Sequence, residues 1–249
     1  MMCKMGLYKA KGIVLKSMKL GEADKIVTLI SSGRGKIRAV AKGIRKTKSK
    51  FGSRLEPFTY IDMLVYEGRN LDIITQVEII TSFKEIRSDL EKLKYGSVML
   101  ELVDHVGQEK EESEDVFALL LAALKSLRDS TENLQLLVGA FELKLMSATG
   151  YHPQVEACVS CGRREVGRTV FSFRYGGILC QECRRRDEEG VLISEEGWNL
   201  IRGALSTNTA RLGDLVSSPR AQEELFRLAQ LGVSYYLERE LKSPRLLKL

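Results

Sequence analysis

"DKIVTLISSGRGKIRAVAKG", Asp24 to Gly43, places two strand-like runs around a glycine-bearing break. "DKIVTLIS" is β-branched and stops at Ser32-Gly33-Arg34-Gly35. The run that follows alternates, with Ile37, Ala39 and Ala41 on one face and Lys36, Arg38 and Lys42 beside them. A period of two marks a half-buried strand, and glycine supplies the turn. Upstream, "YKAKGIVLKSMKL" alternates over Ile13 and Leu15 among basic side chains. Downstream, "FTYIDMLVYEG" and "NLDIITQVEII" are separated by the turn-like Gly68-Arg69-Asn70. Five short strands in a row predict a small barrel rather than a βαβ sheet. "GIRKTKSKFGSRLEP" has no apolar periodicity and reads as the long connection before the fourth strand.

After Ser82 the period changes to three and four. "EIRSDLEKLKYGSVMLELVDHV" repeats Ile86, Leu90, Leu93, Val98 and Leu102, which predicts one helix to Val106. "SEDVFALLLAALKSLRDS" opens acidic and closes basic, as the helix dipole favours. "TENLQLLVGAFELKLMSATG" stops at Gly150 with Pro153 beyond. "EEGWNLIRGALS" and "SPRAQEELFRLAQLGVSYYLEREL" supply the last helices. Trp198 and the pair Tyr235-Tyr236 fall on helix faces, where core is the commoner role.

Hydrophobic residues at 44% and charged residues at 29% are the proportions of a folded globular chain, not a disordered one. No apolar run reaches the ~18 residues that span a bilayer, and the first residues lack a secretory pattern. The expected setting is the cytoplasm, with no membrane partner and thiols kept reduced. The net charge of +6 is unevenly spread. Residues 1–50 carry 14 Lys and Arg against Glu22 and Asp24, so this end is a polycation and the remainder is mildly acidic. That asymmetry points to a polyanionic partner.

The charge is densest from Arg34 to Arg54. Arg34, Lys36, Arg38, Lys42, Arg45, Lys46, Lys48, Lys50 and Arg54 occur there with no acid among them. Phe51, with the serines and glycines around it, offers the stacking and backbone donors of single-strand binders. These nine residues are the candidate nucleic-acid contacts, and the alternative is a solvated loop. "GIRKTKS" lacks the second glycine of a phosphate-binding loop. The two histidines, His105 and His152, have no evident Ser or Cys partner, and no catalytic residue is assigned.

Four of five cysteines fall as C-x2-C, eighteen residues, C-x2-C, at Cys158, Cys161, Cys180 and Cys183. Two such knuckles around a hairpin spacer let four thiolates close a tetrahedron on Zn²⁺. Two disulfides, or a redox pair, are the alternatives. Four sulfurs leave no open position, so one Zn²⁺ here is read as structural.

At this point the residues resemble the bacterial recombination mediator RecO family. The resemblance rests on Gly21-Glu22-Ala23-Asp24, Gly35-Lys36, Ala41-Lys42-Gly43, the basic run, Leu55-Glu56-Pro57-Phe58, "ATGYHPQVEACVSCG" and the closing "LKSPRLLK". It implies an α+β multidomain protein: an N-terminal OB-fold five-stranded barrel, then an α-helical domain with an inserted four-Cys zinc module. The boundaries expected are 1–80 for the barrel, 81–149 and 191–249 for the helical domain, and 150–190 for the zinc module. The resemblance further implies binding to single- and double-stranded DNA at the nucleoid, strand annealing, partnership with RecR, and help in loading RecA. Contact with the acidic C-terminal tail of single-stranded DNA-binding protein is also implied. Such a tail needs an apolar notch rimmed by cations, which Arg227, Tyr235, Tyr236, Arg239, Lys242 and Arg245 offer. The alternative function is a zinc-ribbon RNA-binding or transcription-associated module.

Overall fold

The alternating runs form β1 (Leu7–Leu20), β2 (Asp24–Ser31), β3 (Gly35–Ala41), β4 (Tyr60–Tyr66) and β5 (Asp72–Thr81). The structure, a computed structural model, describes residues 6–47, 49–112, 114–164 and 169–237. β1 pairs with β4 through Leu7–Ile13 and with β2 through Gly12–Leu20. Its register shifts between Val14 and Lys16, a bulge that bends one strand to serve two sides. β3 and β5 are parallel and pair only at Ala39–Asp72 and Val40–Ile73. That contact closes the barrel in the order β1-β2-β3-β5-β4, an OB-like arrangement.

Val14, Val27, Leu29, Ile37, Ala39, Ile61, Met63 and Val65 fill the interior. The connection after β3 adds Ile44, Phe51 and Leu55 to the same core, the last two around a 3-10 turn at Gly52–Leu55. Phe51 is 1% exposed, which corrects the expectation that its ring stacks on bases. Burying so large an apolar side chain stabilises by ~1.5–3 kcal/mol, so the barrel takes it.

The predicted helix to Val106 is two helices, α1 (Lys84–Ser88) and α2 (Leu90–Val106). Asp89 between them is extended, and its carboxylate accepts from Lys92 N at 3.1 Å. An N-cap aspartate outcompetes continuation of the helix here. α2 is tied to the barrel, since Lys36 Nζ donates to Asp104 O at 2.7 Å and Lys16 pairs with the Asp104 carboxylate. Contact density divides the chain into two compact units, one running to Leu124 and the other from Lys125. The division falls within α3 (Glu114–Asp129).

In the second unit α4 (Leu134–Ala148) is buried nearly all round, as a central helix must be. α5 (Glu195–Ser206) begins at Ser194, whose hydroxyl accepts from Gly197 N at 3.1 Å. α6 (Pro219–Leu237) approaches α4 closely at Gly139, where a Cβ would lie 2.7 Å from Leu225 Cδ2. The cysteine segment lies between α4 and α5. Its hairpin is β6 (Thr169–Ser172) and β7 (Gly177–Leu179), joined by β8 (Val191–Ile193) in the order β7-β6-β8. β8 was not anticipated, because three residues are too few to show a period. Trp198 is buried, and its Nε1 donates to Val155 O at 2.7 Å. No helix among the described residues is long and apolar enough to cross a membrane.

Candidate nucleic-acid interface and metal centre

On an OB-like barrel the face of strands two and three, with the β4–β5 loop, is where oligonucleotides bind. Here Arg34, Lys36 and Arg38 meet Tyr8, Arg69 and Asn70 in one groove of about 700 Å³. The Arg34 guanidinium lies 3.8 Å from the centre of the Tyr8 ring, a cation–π stack. Tyr8 Oη donates to Asp72 Oδ2. Burial first, then the bond and charge of Asp72, push the phenol pKa up, so Tyr8 stays neutral and its ring is held in place. Asp72 Oδ1 also accepts from Gly68 N at 3.1 Å. Gly68 is required by closeness, since a Cβ there would fall 1.9 Å from Leu71 O. The loop that carries Arg69 and Asn70 is thereby fixed.

The nine cations do not form one strip. Arg34, Lys36 and Arg38 line the groove. Lys36 is spent on Asp104, and Arg38 Nη1 lies 3.6 Å from Glu109 Oε1. The rest belong to the connection that caps the barrel. Arg45 holds Gly21 O at 2.9 Å through Nη1, and its N donates to Ala23 O at 3.0 Å. Asp24 Oδ1 accepts from Gly43 N at 2.7 Å. Lys50 Nζ donates to Thr75 O at 2.8 Å, and Arg54 Nη1 to Lys50 O at 2.5 Å. Lys42 and Lys46 are exposed, and Lys48 lies outside the described residues. Tyr8, Arg69 and Asn70 escaped the sequence reading. Gly68-Arg69-Asn70 showed only as a turn, and nothing local marks Tyr8.

The four cysteines converge. Their Sγ atoms all lie within 4.8 Å of one another, and none is in a disulfide. Four sulfurs ~2.3 Å from one zinc stand about 3.8 Å apart, and Cys161 Sγ to Cys180 Sγ is 3.7 Å. Gly162, at φ +74°, turns the first knuckle, with its N donating to Cys158 O at 2.8 Å. Burial pushes the Cys158 thiol up, but N–H groups of Cys180, Ser160 and Cys161 directed at the sulfur outweigh it and bring its pKa to about 6. The Arg163 N–H pulls the Cys161 thiol down, but the hydrogen bonds that Cys161 donates toward Cys158 and its neighbours push it the other way, up to about 11. The spacing of the four sulfurs is therefore what fits a tetrahedral metal ion.

Of the candidate tail residues, Tyr235 is half-exposed and stacks on Phe173, with ring centres 5.5 Å apart. Tyr236 is partly buried, stacks on Tyr151 at 4.5 Å, and its hydroxyl donates to Phe173 O at 3.3 Å. Arg227 is exposed. Arg239, Lys242 and Arg245 lie outside the described residues.

Comparison with known proteins agrees with the barrel and the helical part alike. Residues 5–83 match the family described as Recombination protein O N terminal, and residues 87–245 the one described as Recombination protein O C terminal. The DNA repair protein RecO of a Nocardioides species is 39% identical over 95% of this chain and 97% of its own. Those of Bifidobacterium longum and Symbiobacterium thermophilum are 34% and 33% identical, each over 98% of this chain and 99% and 97% of their own. With both halves matched and relatives of this identity aligned end to end, the chain belongs to the Recombination protein O family.

Proposed function

We propose that this protein is a non-enzymatic recombination mediator in DNA repair that binds single- and double-stranded DNA and anneals complementary strands. Membership of the family supports the repair role, and the groove holding Arg34, Arg38, Arg69 and Tyr8 is the observation that carries the DNA-binding reading. Annealing brings two polyanions together, so their repulsion must be screened. Arginines that displace condensed counterions do this without ATP or a catalytic group. The Arg34–Tyr8 stack adds a flat, cationic surface on which a base of any identity can lie.

Cys158, Cys161, Cys180 and Cys183 would hold one Zn²⁺, whose chemistry there is a structural cross-link between the two knuckles. The resemblance to the family adds RecR as a partner and RecA loading on gaps coated by single-stranded DNA-binding protein as the outcome. A contact of that protein's acidic tail with the Arg227–Tyr235–Tyr236 end of α6 belongs to the same reading.

The test is annealing of complementary oligonucleotides without ATP or Mg²⁺, with binding measured across salt. Replacing Arg34, Arg38 and Arg69 by alanine should slow annealing. It should also flatten log K against log[salt] by about 2, at ~0.7 per phosphate for single strands. An unchanged slope would move the site off this groove.

A further inference from the structure

Two cations of the groove face carboxylates of their own chain, Lys36 with Asp104 and Arg38 with Glu109. β3 pairs with β2 along its length, but its other edge meets β5 only from Ala39 onward. The open half of that edge is taken by the segment after α2. Lys36 N donates to Gln108 O at 2.9 Å, and Glu109 bridges to both Gly35 and Lys36. The fit is close. Gly35 has φ +59°, and a Cβ there would fall 1.9 Å from Glu111 O and 2.7 Å from Gln108 O. "QEKEE", Gln108 to Glu112, is therefore a fitted strap rather than a passing loop. It sets Glu109 Oε1 3.6 Å from Arg38 Nη1 and brings Glu112 to the wall of the groove that Arg34 and Arg69 also line.

We propose that Glu109 and Glu112 form an intramolecular gate on the groove, holding its arginines in place of phosphate until a strand with several phosphates displaces them. The proposal rests on the groove binding nucleic acid. Arg38 and Glu109 are both about half-exposed, at 47% and 48%. An exposed pair of that kind is worth roughly two- to fivefold in an equilibrium, so the latch is weak. A lone anion gains one contact and loses to the tethered carboxylate. A strand gains a contact and releases counterions at each phosphate, and wins. The gate thus sets a minimum length for the ligand and keeps the arginines from small anions and acidic peptides.

Full-length Glu109→Gln/Glu112→Gln keeps the backbone pairing and removes both charges. Binding to fluorescent oligothymidines of graded length is measured across salt. The variant is expected to bind roughly two- to fivefold more tightly at low salt, with a somewhat steeper slope because salt weakens the Arg38–Glu109 pair that only wild type must break. The gain should be largest for the shortest strands and vanish at high salt. Glu109→Lys should enlarge it. Equal affinity and slope in wild type and variant would overturn the gate while leaving the groove as a DNA site. Weaker binding by the variant would overturn it too, making the strap part of the platform. Absence of binding by both proteins would remove the groove reading and the gate together.

Discussion

Glu142 lies fully buried on α4 among leucines and Phe141. Its Oε1 accepts from Gln230 Nε2 at 2.6 Å, and its Oε2 has no partner among the described residues. Burial raises the carboxyl pKa from 4.5 to about 8, against a smaller lowering by the Gln230 bond. Between those two values the folded chain keeps a proton that the unfolded chain has released. Stability must therefore fall as pH rises through this window, by about 1.4 kcal/mol per unit, and level off above the folded pKa. From pH 6 to pH 8 the loss is about 2 kcal/mol, because the group is half ionised at the upper end.

Glu142→Gln keeps the acceptor for Gln230 and does not titrate. Urea unfolding followed by the fluorescence of Trp198, the sole tryptophan and in the same unit, gives stabilities of both proteins at pH 6, 7 and 8. The other titrating groups cancel in the difference between the two curves. The variant should gain on wild type by about 2 kcal/mol over that range, whatever the offset from amide packing. Parallel curves would refute the buried, protonated carboxyl.

Wild type purified without chelator should contain one Zn²⁺ per chain by elemental analysis, and Cys180→Ser should lose it together with much of the second unit's stability. Binding energy at such a site is folding energy, on the order of 10 kcal/mol in zinc-finger peptides, and a metal-free wild type would remove the idea. Phe51→Ala should lower barrel stability by about 3–5 kcal/mol in thermal unfolding, as expected for a large core ring. A variant of normal stability but weak DNA affinity would instead return Phe51 to the binding surface.

Local signals were enough for the five barrel strands, the longer helices and the convergence of the four cysteines, but not for β8 or for the break at Asp89. The alternation of Ile37, Ala39 and Ala41 is the inward face of β3, as read from the sequence. The spacing of the four cysteines alone brings two knuckles together, because each pair occupies one turn and the spacer folds back as a hairpin. What depends on contacts between distant segments was not legible. The parallel pairing of β3 with β5 closes the barrel through two residue pairs that no periodicity announces. Ile44, Phe51 and Leu55 sit in a stretch without a period, yet the barrel needs their volume. A dense run of cations looked like one surface, but neighbours far along the chain parcel it out. Asp104 takes Lys36, Glu109 faces Arg38, Gly21 O takes Arg45, and Tyr8 with Arg69 completes the groove. Charge and hydrophobic period are properties of adjacent residues, so the sequence by itself determines the five barrel strands, the longer helices and the cysteine knuckles. Which cations remain for a ligand depends on long-range pairing, and only the tertiary structure decides it.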